Sequence, residues 1–207
     1  MSRIAVDVVL LPPESVMEKA IQINKELLKS NEKKIKLNNK NCLPHISLAM
    51  GCISEGSKHK IGNILASIAS EFPVIQLKAE SIKVIKILPG KLVSQILIQK
   101  TTQIQTLHNA ILERLWPYFD YDVDSSMFYN PIEIGDFTLN WVRNYARHYG
   151  NPKLFHPHIT LGIGKTKTKE HGFPLSFFAK RLAICQLGNY CTCRKILMEF
   201  ELKERKK

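Results

Sequence analysis

The chain has 207 residues, 44% of them hydrophobic, and a formal net charge of +12. That share of apolar residues supports a sizeable core, and the lack of any apolar run of about 18 residues excludes a membrane-spanning helix. The basic balance suits an anionic partner such as RNA or a nucleotide, with no membrane contact. Its local sources are the lysines between Lys29 and Lys40 and a basic tail, residues 203–207. For the tail a solubilising role is the plainer alternative. The N-terminus lacks the small-residue cleavage pattern of a secretion signal. Five cysteines are an odd number, so reduced thiols in a cytoplasmic protein are expected.

In chain order, Arg3 to Leu11 reads as a strand that stops at Pro12-Pro13. Glu14 to Lys29 carries Val16, Ala20, Ile23 and Leu27 at helical spacing. The polar, lysine-rich stretch from Ser30 to Asn41 reads as a loop with room for a short strand at Ile35 to Leu37. A strand follows at Pro44 to Gly51. Ser57 to Phe72 is a helix with Ile61, Leu65, Ile68 and Phe72 on one face, ended by Pro73. Val74 to Leu88 reads as two strands or one bent strand, and after a Pro89-Gly90 turn Leu92 to Lys100 is another strand. Thr101 or Thr102 caps a helix whose apolar face is Ile104, Leu107, Ile111 and Leu115.

Trp116 to Pro131 loses all periodicity. Its Asp120, Asp122 and Asp124 invite a calcium-loop reading, but the required Gly and Glu fall on Ser125 and Pro131, so that reading fails. A mobile loop beside the site is expected instead. Asp136 caps a helix to about Tyr149, with Phe137, Trp141 and Tyr145 inward. A second strand of the same kind as the first follows at Pro157 to Gly164, then a basic loop from Lys165 to Pro174. Strands at Phe178 to Gln186 and Lys195 to Leu202 close the chain.

The two like strands repeat one phrase. Pro44-His45-Ile46-Ser47-Leu48-Ala49-Met50-Gly51 and Pro157-His158-Ile159-Thr160-Leu161-Gly162-Ile163-Gly164 share Pro, His, Ile, Leu and the final Gly. Strand alternation assigns Ile46, Leu48 and Met50, and Ile159, Leu161 and Ile163, to the core. The opposite face receives His45, Ser47, Ala49 and Gly51, and His158, Thr160, Gly162 and Gly164. Each copy thus offers an imidazole and a hydroxyl over a floor of small residues. One His beside one Ser on a strand is ordinarily a surface feature; repetition with matching flanks is not. Two imidazoles facing across a cleft divide acid and base work near neutral pH. Two hydroxyls beside them suit the non-bridging oxygens of a phosphate, and the scheme requires no metal or other cofactor.

The paired His-x-Ser and His-x-Thr, half a chain apart, resemble the two-histidine (2H) phosphoesterase superfamily, which includes 2′-5′ RNA ligase-like proteins and cyclic nucleotide phosphodiesterases. The resemblance implies an α+β, bilobal, pseudo-twofold duplicated fold over residues 1–207. Two antiparallel-rich sheets would flank a central cleft, with helices outside. It further implies metal-independent chemistry on 2′,3′-cyclic phosphates or 2′-5′ linkages of RNA or nucleotides, with ligation as the reverse reaction. His45 and His158 carry over as the acid–base pair, and Ser47 and Thr160 as phosphate holders. Which histidine is acid and which is base stays open, and a monomer is expected. Tyr190 is a candidate to stack on a base and Lys165 to meet a phosphate; an ordinary turn aromatic and a solvated lysine are the alternatives.

Two other classes compete. A non-catalytic basic module would bind RNA or nucleotide by charge alone, with salt-sensitive affinity. A zinc hydrolase would use His156, His158, Cys185, Cys191 and Cys193, but Cys191-x-Cys193 misses the usual spacing. His59, His108, His148 and His171 read as surface or boundary residues.

Overall fold

The computed structural model describes residues 2–29, 34–88, 90–148, 151–166 and 172–204. Of the stretches read above, residues 30–33 and 167–171 (with His171), the His148 side chain and the tail beyond Glu204 lie outside them.

Eight strands form two four-stranded antiparallel sheets. Strands β1 (Arg3–Leu11), β2 (Ile46–Ser54), β7 (Arg181–Gly188) and β8 (Thr192–Glu201) make the first, in the order β2-β1-β7-β8. Strands β3 (Ile75–Leu88), β4 (Lys91–Ile98), β5 (His158–Ile163) and β6 (Leu175–Ala179) make the second, in the order β5-β4-β3-β6. Each repeated phrase therefore forms an edge strand, β2 in one sheet and β5 in the other.

The predicted strand at Phe178 to Gln186 is in fact two. The chain leaves the second sheet at Ala179 and enters the first at Arg181. Lys180 marks the switch, its carbonyl accepting from the Leu202 N–H at 2.7 Å. No Gly or Pro signals this step; only the adjacent charged pair Lys180-Arg181 marks it.

The helices cross between the sheets. Helix α1 (Glu14–Leu28) follows β1 of the first sheet yet packs on β5 of the second. Helix α3 (Thr102–Leu115) follows β4 of the second sheet yet packs on β2 of the first. Their apolar stripes drive this: Val16, Ala20, Ile23 and Leu27 of α1 and Ile104, Leu107, Ile111 and Leu115 of α3 are all buried, with about 1.5–3 kcal/mol favouring burial of each large aliphatic side chain. Thr101 caps α3, its Oγ1 accepting from the Ile104 N–H, which satisfies one of the donors left over at a helix start. Helix α2 (Lys58–Glu71) packs beside α3 and on β8. At its end the Lys203 N–H donates to the Ala69 and Phe72 carbonyls, so the basic tail is anchored at its first residue.

Residues 116–131, expected as a mobile loop, are pinned to the first sheet. Asp120 and Cys52 exchange backbone hydrogen bonds at 2.8 Å, and the Tyr129 N–H donates to Leu187 at 2.8 Å. Val123, Met127 and Phe128 are buried. The aspartates have local partners: Asp120 and Asp122 pair with Arg3, and Asp124 accepts from the Ser126 N–H. No strand forms at Ile35 to Leu37 either. Both side chains are buried, and the backbone there bonds to a helix side chain described below.

The expectation of five reduced thiols is corrected. Cys185 on β7 and Cys193 on β8 form a disulfide, with Cα atoms 5.5 Å apart. The β7–β8 hairpin brings them together across eight residues, a pairing that depends on strand register. Cys42, Cys52 and Cys191 are free and buried. Among the described residues no helix is long and apolar enough to cross a membrane.

Candidate active site

Local geometry at the two phrases is the same to the residue. On β2, Ser47 pairs with Val9 and Ala49 with Val8, so Leu48 is an extra residue. On β5, Thr160 pairs with Gln95 and Gly162 with Ser94, so Leu161 is an extra residue. These are β-bulges at equivalent positions, and a bulge re-aims the side chains that follow it. His45 and Ser47 keep the cleft face, as do His158 and Thr160.

Beyond the bulge the faces swap. Ala49 joins the core, and Gly162 lies against Leu27 and Asn24 of α1. Met50 and Ile163 are buried as expected, and they also line the cleft. The expected floor of small residues is thus absent: Gly51 backs onto Phe119.

A bulge leaves its extra carbonyl outside the ladder, and a buried carbonyl needs a donor. Both bulges are served from the opposite half. The Asn24 Nδ2–H of α1 donates to the Leu161 carbonyl at 2.7 Å. The His108 Nδ1–H of α3 donates to the Leu48 carbonyl at 2.6 Å. His108 is fully buried and stacks on Phe155 with ring centroids 3.9 Å apart. It is therefore no boundary residue. Burial lowers its pKa to about 4, so it is neutral at neutral pH.

The two cleft histidines are also held alike. His45 Nδ1 lies 2.7 Å from the Leu43 carbonyl, and His158 Nδ1 lies 2.8 Å from the His156 carbonyl. A carbonyl can only accept, so Nδ1 carries the hydrogen in both rings, and Nε2 is left with its lone pair. Burial lowers both pKa values, His45 to about 4; the nearby His158 lowers His45 further, and His156 lowers His158.

All four phrase residues line one cavity of about 520 Å³. This is ample for a small ligand. Its walls are mainly apolar and aromatic. Phe137 and Trp141 of α4 (Asp136–Arg143), Tyr145 of α5 (Tyr145–His148) and Tyr190 form one side. Ile85 of β3 and Val93 and Leu97 of β4 form another. Tyr190 sits in a turn with two successive left-handed residues, Tyr190 at φ 57° and Cys191 at φ 53°. Its N–H donates to Thr138 Oγ1 at 2.8 Å, which couples the turn to α4. Phe137 lies 5.9 Å from Tyr190 and 5.8 Å from Trp141, centroid to centroid.

Lys165 is exposed beyond β5, outside the cavity lining; the cations that line it are Lys83 and Lys100. His156 lines the cavity, and Cys193 is taken up by the disulfide. Among the described residues no group of three or more His, Cys, Asp or Glu is placed to hold a metal ion.

Sequence reasoning missed Asp7. It is fully buried on β1, between Met50 on β2 and Cys185 on β7. Its Oδ2 lies 2.6 Å from Ser47 Oγ, within hydrogen-bond distance, and 3.7 Å from His45 Nε2. Burial pushes its pKa well up, opposed by the Ser47 bond. The signal was present: one carboxylate within the otherwise apolar run from Ile4 to Leu11.

No protein-family model matches the chain, and no curated protein matches it significantly. Solved structures do. TT0787 of Thermus thermophilus is 13% identical with a TM-score of 0.60, covering 98% of this chain and 100% of its own. LigT of E. coli complexed with 3′-AMP is 14% identical with a TM-score of 0.55, covering 98% and 99%. A structure described as a phosphoesterase is 13% identical with a TM-score of 0.54, also covering 98% and 99%. Along essentially its whole length, the chain has the α+β, two-lobed fold of LigT.

Proposed function

We propose that the protein is a phosphodiesterase of the 2H type, acting on 2′,3′-cyclic phosphates or 2′-5′ phosphodiester linkages of RNA or nucleotides. One observation carries the reading. Two imidazoles from repeated phrases, each with Nδ1 tied to the carbonyl two residues before it, line one cavity with a hydroxyl beside each.

In hydrolysis of a cyclic phosphate, one neutral imidazole takes a proton from water as the water oxygen bonds to phosphorus. The other, in its cationic form, gives a proton to the ribose oxygen as its bond to phosphorus breaks. Ser47 and Thr160 hold the non-bridging oxygens. Ligation runs the same steps backwards with the roles exchanged. The aromatic side of the cavity suits a nucleobase. The fold is shared with LigT, whose structures include complexes with 3′-AMP and NADP+; that supports a nucleotide ligand.

Incubation with a panel of 2′,3′-cyclic nucleotides and 2′-5′ oligoadenylates, with products identified by mass, tests the reading. Turnover of at least one member, undiminished by EDTA, is expected. Salt-sensitive binding with no product would favour the binding-module alternative.

The pH dependence follows from the shifts. A group that must be neutral becomes competent as pH rises through its pKa, and a group that must be charged is lost as pH rises through its own. Both cleft histidines lie below the usual imidazole value, His45 at about 4. The bell-shaped profile of kcat/KM is therefore expected to peak on the acid side of about 6.5. A maximum above pH 8 would contradict the assignment.

A further inference from the structure

We propose that Asp7 is a positioning residue that works as a neutral carboxylic acid, donating its proton to Ser47 Oγ so that the Ser47 hydroxyl hydrogen is free for a phosphate oxygen. This rests on the reading of the cavity as a phosphate site.

The argument starts from what surrounds the carboxyl. Asp7 is fully buried, and its Oδ1 has no hydrogen-bond partner among the described residues. The groups facing it are Ser47 and His45 from the β2 side, the Cys185 disulfide on β7, and the Cys191 thiol of the β7–β8 turn. Across the cleft stands His158. None of these is a permanent cation. His45 turns an Nε2 lone pair toward it, since the Leu43 carbonyl holds the ring hydrogen on Nδ1. An ionised carboxylate here would be a buried, unneutralised charge, which is expensive. It would also stand beside an anionic substrate and repel it.

The proton on Asp7 then decides what Ser47 can do. A hydroxyl has one hydrogen. Against a carboxylate, that hydrogen is spent on Oδ2 at 2.6 Å, and Ser47 has nothing to give a phosphate. Against a carboxylic acid, Ser47 accepts from Asp7, and its own hydrogen turns outward. The carboxyl thus makes the serine an obligatory donor.

This device belongs to one half only. Asp7 pairs with Met50, and the residue paired with the equivalent Ile163 is Val93. The pseudo-twofold halves are therefore chemically unequal beside their hydroxyls.

The test compares wild type with Asp7→Asn and Asp7→Val in turnover, in affinity for inorganic phosphate by calorimetry, and in infrared spectra at neutral pH. An asparagine amide can donate to Ser47 Oγ as a protonated carboxyl does, and the unpartnered Oδ1 sets no competing demand. Asp7→Asn is expected to stay within about threefold of wild type, while Asp7→Val loses about tenfold in kcat/KM and in phosphate affinity. The wild-type spectrum should contain a protonated-carboxyl stretching band that Asp7→Asn removes. An absent band, or an asparagine variant as impaired as the valine variant, overturns the proposal, since Asp7 would then act as an anion. Wild type that turns over nothing sinks the reading of function instead. In that event the band and the phosphate affinities still decide the role of Asp7.

Discussion

His45→Ala and His158→Ala are each expected to lower kcat/KM on a cyclic phosphate by at least about 100-fold, the usual share of a positioned acid or base. The fold should persist, because both side chains line the cavity and neither carries a strand or a helix. Each variant removes an Nε2 whose direction is fixed by the Nδ1–H bond to the carbonyl two residues before it. Water filling the gap is a far weaker acid and base. Under the proposed mechanism both rings act on one phosphorus, so the double variant should be little worse than either single one. Steady-state kinetics on all three proteins, with circular dichroism to confirm folding, checks this. Full activity in either single variant would remove the assignment.

The largest effect on stability is expected at Asn24. Its side chain is fully buried and serves three backbone groups. Nδ2 donates to the Ile35 carbonyl at 2.9 Å and the Leu161 carbonyl at 2.7 Å, and Oδ1 accepts from the Leu37 N–H at 2.9 Å. Asn24→Leu is close in shape but leaves all three without that partner. With about 1–3 kcal/mol per buried unsatisfied group, a loss of at least about 3 kcal/mol is expected, among the larger single-residue effects. Urea unfolding with an unchanged m-value would measure it. Activity should fall as well, for two reasons. The Leu161 bulge turns Ile163 toward the cavity, and Ile35 and Leu37 line the cavity as well. A variant as stable as wild type would show that these bonds contribute nothing net.

The part of this molecule that could be read from its sequence is the part written in local periodicity. The stripes of α1 and α3, the cap at Thr101 and the alternation of β1 all emerge from neighbours within a few residues of one another. The repeated phrase gave both cleft histidines and both hydroxyls. What failed to show depends on partners far apart. Asn24 meets Leu161 across 137 residues, and His108 meets Leu48 across 60. A bulge adds a residue without altering composition, so strand alternation misplaces Ala49 and Gly162, which turn away from the cleft. The Cys185–Cys193 bond waited on hairpin register, and the break at Lys180 had no turn residue to announce it. Asp7 was visible as an oddity; only its neighbours give it a role.

Division of the last three strands between the two sheets shapes how this protein is made. Until β7 is synthesised, β1 has an open edge, and until β6 is synthesised, so does β3. Both missing partners, β6 and β7, begin at or after Leu175 in the chain. Unpaired edges invite pairing with other chains. A chain terminated just before Leu175 would leave both sheets open at once, and would be prone to aggregate.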